Sequence, residues 1–162
     1  MVAITQSGET ADTLSALRVA NKAGAKTLAL TNTLGSTVTR DADDAIFIRA
    51  GPEIGVAATK TFVSQVATAT LLTIHLGHAR GSLSIAGTET LLDALRTLPG
   101  SVQQVLDQNP QIKQAAHTYA DSDAFFYIGR RTGVPVALES ALKLKEISYD
   151  HAEGFPAGEL KH

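Results

Sequence analysis

Two sets of residues in this chain have the types and the spacing to do chemistry. The first is Thr5-Gln6-Ser7-Gly8-Glu9-Thr10, which follows a short apolar run, Met1-Val2-Ala3-Ile4, and precedes a helical pattern. A strand that ends in hydroxyl residues and a glycine, at the start of a helix, aims several groups at one point. These are the free backbone N–H groups of the first turn, the positive end of the helix dipole and the hydroxyls. The segment has no Lys or Arg, so an anion there is held by dipoles and hydrogen bonds, which suits a small phosphate ester that must be released again. Ser and Thr also begin helices with no ligand present, and the local pattern alone favours that plain cap. The second set is Glu139, Lys143 and Glu146, whose i, i+4, i+7 spacing puts them on one face of a helix. Leu138, Ala141, Leu142, Leu144 and Ile147 cover most of the remaining circumference. A polar stripe on such a helix must pair internally or face a cleft. A lysine between carboxylates in that setting is equipped for proton transfer, because burial and neighbours set its pKa. The same spacing also makes solvated ion pairs that add little stability, and the pattern does not separate the two.

Positioning these groups falls to alternating strands and helices. The spacing predicts strands over 2–4, 27–31 and 45–48, a helix over 10–23 and a short one over 37–42. In the first helix Ala11, Leu14, Leu17 and Ala20 recur at helical spacing, and Gly24 is placed to stop it. An irregular loop over 51–58 leads into a long helix over 59–78. Residues 81–87 form a small-residue connector, with helices expected over 88–98, 102–106 and 111–120. The pattern then restarts, with a strand over 124–128, a glycine turn over 129–133 and a helix over 135–149. Short apolar strands between helices call for an α/β fold, a doubly wound parallel sheet with helices on both faces and ligand-bearing turns at the C-terminal strand ends. The expected organisation is a partial first domain over 1–84, connecting helices over 85–120 and the beginning of a second domain over 121–162. The segment from His151 to His162 is dense in ionisable groups and turn formers and reads as a loop. Because the strand bearing the anion turn starts at residue 2, the chain reads as a central excerpt from something longer.

Composition narrows the function. With 162 residues the chain can build one sizeable core or two incomplete ones. A net charge of −2 gives no footprint for nucleic acid or for an electrostatic membrane anchor. The absence of cysteine excludes disulfides, thiolate metal sites and a Cys nucleophile within the chain. The apolar stretch over 59–76 is broken by Lys60, Ser64, Gln65 and several Thr, so it reads as a buried helix, not a membrane span. With no basic, apolar leader at Met1, the expected location is cytoplasmic. His75 and His78 lie one turn apart with no third ligand nearby. His151-x-Glu153 is similar to a zinc deaminase signature but lacks its cysteine pair. No metal and no cofactor is expected.

Four segments in order carry a resemblance: Gln6-Ser7-Gly8-Glu9-Thr10, the run from Gly51 to Lys60, the run from Leu138 to Tyr149, and Gly158-Glu159-Leu160-Lys161-His162. With them the chain resembles the glucosamine-6-phosphate synthases, the isomerising glutamine–fructose-6-phosphate aminotransferases. The likeness extends over essentially all of the chain but only the middle of that enzyme's isomerase half. The first segment marks sugar-isomerase (SIS) domains in general, while the helix and closing segment are more specific.

The resemblance implies that Thr5, Gln6, Ser7 and Thr10 cradle the 6-phosphate and that the Val56 backbone contacts the sugar. It implies that Glu146 moves the proton between C1 and C2, turning a fructosimine into an aldosamine, with Lys143 and Glu139 as acid–base partners. His162 matches a histidine that assists ring opening and comes from the neighbouring subunit of a homodimer. Thr5 stands where many members have Ser and keeps the hydroxyl; Ala58 stands where many have a Ser that hydrogen-bonds the sugar. The family's glutaminase cysteine is absent from this chain, and its Schiff-base lysine lies in a tail beyond His162. The chain alone is therefore expected to be inactive. Two other readings are a non-catalytic sugar-phosphate-binding SIS module and another SIS aldose–ketose isomerase or deglycase. The first gives no reason to keep the Glu139, Lys143, Glu146 stripe, and the second none to share the last two segments.

Overall fold

A computed structural model describes residues 1–161. The order is β1 (Val2–Ile4), α1 (Ala11–Lys22), β2 (Leu28–Thr31), α2 (Thr37–Asp41), β3 (Asp44–Phe47) and α3 (Lys60–Ala79). These are followed by α4 (Ile85–Asp107), α5 (Asn109–Tyr119), β4 (Ala124–Gly129), α6 (Gly133–Ser148) and β5 (His151–Pro156). Two compact units result. One comprises residues 1–54 and 58–96; the other takes Gly55–Ala57 and the chain from Thr97 onward. Among the described residues no helix is long and apolar enough to cross a membrane.

In the first unit β1, β2 and β3 form a parallel sheet in that order, with Ala3 opposite Ala29 and Ala29 opposite Ala45. This row of alanines lies on one face, because side chains alternate along a strand. Small residues there let Leu14 and Leu17 of α1 and Val38 of α2 close over the sheet, and these residues form the core with Ala3 and Ala29. Leu17 and Val38 are fully buried, each contributing about 1.5–3 kcal/mol by removal from water. Helix α1 ends where expected. Gly24 adopts φ +75°, its N–H donates to the Asn21 carbonyl and the Ala25 N–H to the Ala20 carbonyl, which together satisfy the last carbonyls of the helix.

The second unit is built on β4, α6 and β5. The two strands pair in parallel from Ala124 opposite His151 to Gly129 opposite Pro156. Helix α6 packs against both strands and buries Ala137 and Ala141. The loop expected from His151 onward is corrected here, since residues 151–156 form strand β5. The composition hid it, but Ala152 is buried and a Cβ on Gly154 would stand 2.8 Å from the backbone of Leu138. These small residues let α6 lie close on β5. The two helices expected over 88–98 and 102–106 are likewise one, α4, with Pro99 inside it. Leu91, Leu95, Leu98, Val102 and Val105 keep their spacing of four and three across Pro99, so one apolar stripe continues through the proline.

Candidate active-site elements

The hydroxyl turn follows β1 directly. Thr5 extends the strand by donating its N–H to the Leu30 carbonyl at 3.0 Å, and its buried Oγ1 accepts the Gly8 N–H at 3.2 Å. The Gln6 carbonyl accepts three bonds from the end of β2: Thr31 Oγ1 at 3.1 Å, the Asn32 N–H at 3.1 Å and Thr33 Oγ1 at 3.3 Å. Gly8 has φ +74°, and a Cβ there would overlap Ser36 Oγ and Cβ, so only glycine fits this close approach. The Gly8 carbonyl accepts the Val38 N–H at 3.0 Å, and Glu9 Oε1 accepts the Thr37 N–H at 2.7 Å. Hydrogen bonds from the Thr37 side chain and then its backbone hold the Glu9 carboxyl below its ordinary range. Glu9 is thereby turned to the start of α2.

The turn leaves α1 without a side-chain cap. Thr10 occupies the N-cap position in extended conformation and makes no side-chain capping bond. Thr10 therefore does not act as a side-chain cap in this turn. Ser7 and Thr10 are both exposed, and Ser7 Oγ accepts the Glu9 N–H at 3.2 Å. The first-turn N–H groups of α1, with two exposed hydroxyls beside them, are donors of the kind that can hold an anion without a cationic side chain.

The second set is brought together on α6. Lys143 Nζ lies 3.2 Å from Glu139 Oε1 and 2.7 Å from Glu146 Oε2. The Lys143 side chain is only 20% exposed, so this is a partly buried ion triad, not a solvated stripe. Burial pulls the Lys143 ammonium down. Its hydrogen bonds to Glu146 and Glu139 and their charges outweigh that and raise its pKa above the ordinary 10.5. Lys143 is therefore a cation at neutral pH.

Val56 is almost fully exposed in the loop between β3 and α3. Glu53, which the sequence did not single out, organises the end of that loop. Its Oε1 accepts the Thr59 N–H at 2.9 Å, Thr59 Oγ1 at 2.7 Å and the Lys60 N–H at 3.2 Å. Its Oε2 accepts the Thr61 N–H at 3.3 Å and a bond from Thr61 Oγ1. The Thr61 and Thr59 hydroxyls, outweighing burial, hold the Glu53 carboxyl at about 2. Asn32 was missed as well. Its side chain accepts the Ala50 N–H at 3.0 Å and donates to the Gly51 carbonyl at 2.8 Å. Neither contact has a local sequence signal, because the partners are 6 to 19 positions away. His162, expected to assist ring opening, lies outside the described residues.

With this geometry in hand, comparison with known proteins is direct. Residues 1–75 match the SIS domain family. The chain is 76% identical over its whole length to the glutamine–fructose-6-phosphate aminotransferase (isomerizing) of Halobacterium salinarum, of which it covers 27%. It is 52% identical, over 99% of its length, to that of Methanosarcina mazei, of which it covers 26%. Over essentially its whole length the chain is similar to one stretch of the isomerizing glutamine–fructose-6-phosphate aminotransferases. It spans about a quarter of the length of these curated relatives. Among solved structures, the C-terminal domain of glucosamine-fructose-6-phosphate aminotransferase from Francisella tularensis superposes with a TM-score of 0.96 at 38% identity. The match covers 99% of this chain and 46% of that one. The expected α/β fold of parallel strands with helices, of SIS type, is thus the observed one.

Proposed function

We propose that this segment is part of an isomerase domain that forms glucosamine 6-phosphate from fructose 6-phosphate and ammonia derived from glutamine. The 6-phosphate lies at the α1 turn, held by Thr5, Gln6, Ser7 and Thr10, and the Val56 backbone meets the sugar. Glu146 takes the proton from C1 and returns it to C2. Lys143, as a cation, holds Glu139 and Glu146 in place and offsets their charge. His162 opens the sugar ring in the site of a neighbouring subunit, in a homodimer. Residues 1–84 belong to a first SIS domain, 85–120 are connecting helices and 121–162 begin a second SIS domain.

One conjunction carries the reading. The chain combines a helix start left without a side-chain cap between two exposed hydroxyls with a partly buried Glu–Lys–Glu triad. A module that only bound sugar phosphate has use for the first and none for the second. The test is calorimetric titration of glucosamine 6-phosphate into the full-length enzyme carrying this segment. Removing the Ser7 and Thr10 hydroxyls together (S7A/T10A) is expected to cost about 2–4 kcal/mol of binding, at roughly 1–2 kcal/mol per charge-assisted bond. Equal affinity in parent and variant would contradict the assignment of the phosphate.

A further inference from the structure

Three donors converge on one carbonyl of the hydroxyl turn, and two of them have no role in the assignments above. The Gln6 oxygen, which has two lone pairs, accepts the Asn32 N–H and the hydroxyls of Thr31 and Thr33. The Asn32 bond continues the backbone pairing of β1 with β2, one step beyond the bond from the Thr5 N–H to the Leu30 carbonyl. The two hydroxyl bonds are additions to that ladder. The Thr31 hydroxyl is fixed in sense, because its oxygen accepts the Thr33 N–H at 3.4 Å and its single proton goes to Gln6. Thr31 is fully buried at the end of β2, whereas Thr33 is exposed. All of these residues lie in the first unit, with the α1 turn itself.

Burial fixes the path of the turn but not the plane of this peptide. Thr5 and Gly8 are buried on either side, while Gln6 is half-buried and Ser7 exposed. A peptide between two anchored positions can still rotate about its flanking ψ and φ, and that rotation exchanges the directions of its C=O and N–H. The donors on the Gln6 oxygen hold it toward the end of β2. The Ser7 N–H, on the opposite edge of the same planar trans unit, is thereby directed away from β2. Among the described residues that N–H has no partner. We infer that Thr31 and Thr33 are positioning residues for the phosphate, locking the Gln6–Ser7 peptide so that the Ser7 N–H is held as a donor to the anion. This inference rests on the sugar-phosphate reading above, and both threonines act through the Gln6 carbonyl.

The test titrates inorganic phosphate and glucosamine 6-phosphate into the full-length enzyme carrying this segment. T31V/T33V keeps both branched shapes and removes both hydroxyls, leaving the Asn32 N–H on Gln6. Affinity for the two ligands is expected to fall together by about tenfold, the worth of one hydrogen bond to a charged group. T31S/T33S keeps both hydroxyls and loses both methyl groups, and should bind as the parent does. A role in packing predicts the reverse order, because serine opens a space at the buried position and valine fills it. T33V alone, at an exposed position, serves if T31V/T33V fails to fold, with a smaller loss of the same kind. Two results overturn the inference while S7A/T10A still weakens binding: T31V/T33V that binds both ligands as tightly as the parent, or T31S/T33S that loses as much as T31V/T33V. If S7A/T10A also binds as the parent does, the phosphate does not lie at this turn, and the sugar-phosphate reading fails together with the inference.

Discussion

Lys143 shows how far residue-scale reasoning reaches. The i, i+4, i+7 spacing placed Glu139, Lys143 and Glu146 together, and the structure joins them at 3.2 and 2.7 Å. The sequence left burial open, because spacing alone does not show which face of a helix is covered: Leu138, Leu142 and Ile147 are exposed, while the Lys143 side chain is largely buried. The raised pKa of Lys143 has a consequence for stability. A lysine that holds its proton more tightly in the folded state contributes stability in full below the unfolded value of 10.5. That contribution is lost as pH rises through the folded value. The difference in thermal stability between the parent and K143M should therefore be level through neutral and mildly alkaline pH and shrink above 10.5. Melting curves across that range check this, and a difference that stays constant would mean that Lys143 acts by packing alone.

Among the elements, the hydroxyl turn depends on contacts that no local pattern announces. Its strand, helix and glycine were legible from the order of residue types, and β1, α1, β2, α2 and β3 form where spacing puts them. What was not legible is why the turn holds its shape. Glu9 reaches Thr37 and Gly8 packs on Ser36, each 28 positions along the chain, and tertiary contacts of that separation leave no periodic trace. Strand β5 was missed for a related reason. Ala152 and Gly154 are chosen for the closeness of α6, whereas strand propensity favours large branched residues. Two costs add at Gly8, the left-handed φ of +74° and the overlap with Ser36. G8A should destabilise the first unit by about 2 kcal/mol or more. G8A/S36G, which removes the Ser36 atoms, should recover part of it. Urea denaturation of both variants checks this; equal stability of G8A and the parent would show that the turn yields at no cost.

For the whole molecule, the two candidate sets lie in different units, the α1 turn in the first and the Glu139, Lys143, Glu146 triad in the second. The likeness to the isomerizing aminotransferases runs through both, at 76% identity over the entire chain with the Halobacterium salinarum relative. The central claim is that the phosphate turn and the triad serve one reaction, with Glu146 moving the proton. Glu146→Gln keeps the shape and a hydrogen-bonding side chain but removes the base. In the full-length enzyme carrying this segment, formation of glucosamine 6-phosphate from fructose 6-phosphate and glutamine in E146Q should fall by a factor of about 10²–10⁴, the usual worth of a positioned base. Binding of inorganic phosphate should remain as in the parent. Turnover close to that of the parent would contradict the account and leave Glu146 an ion-pair partner of Lys143.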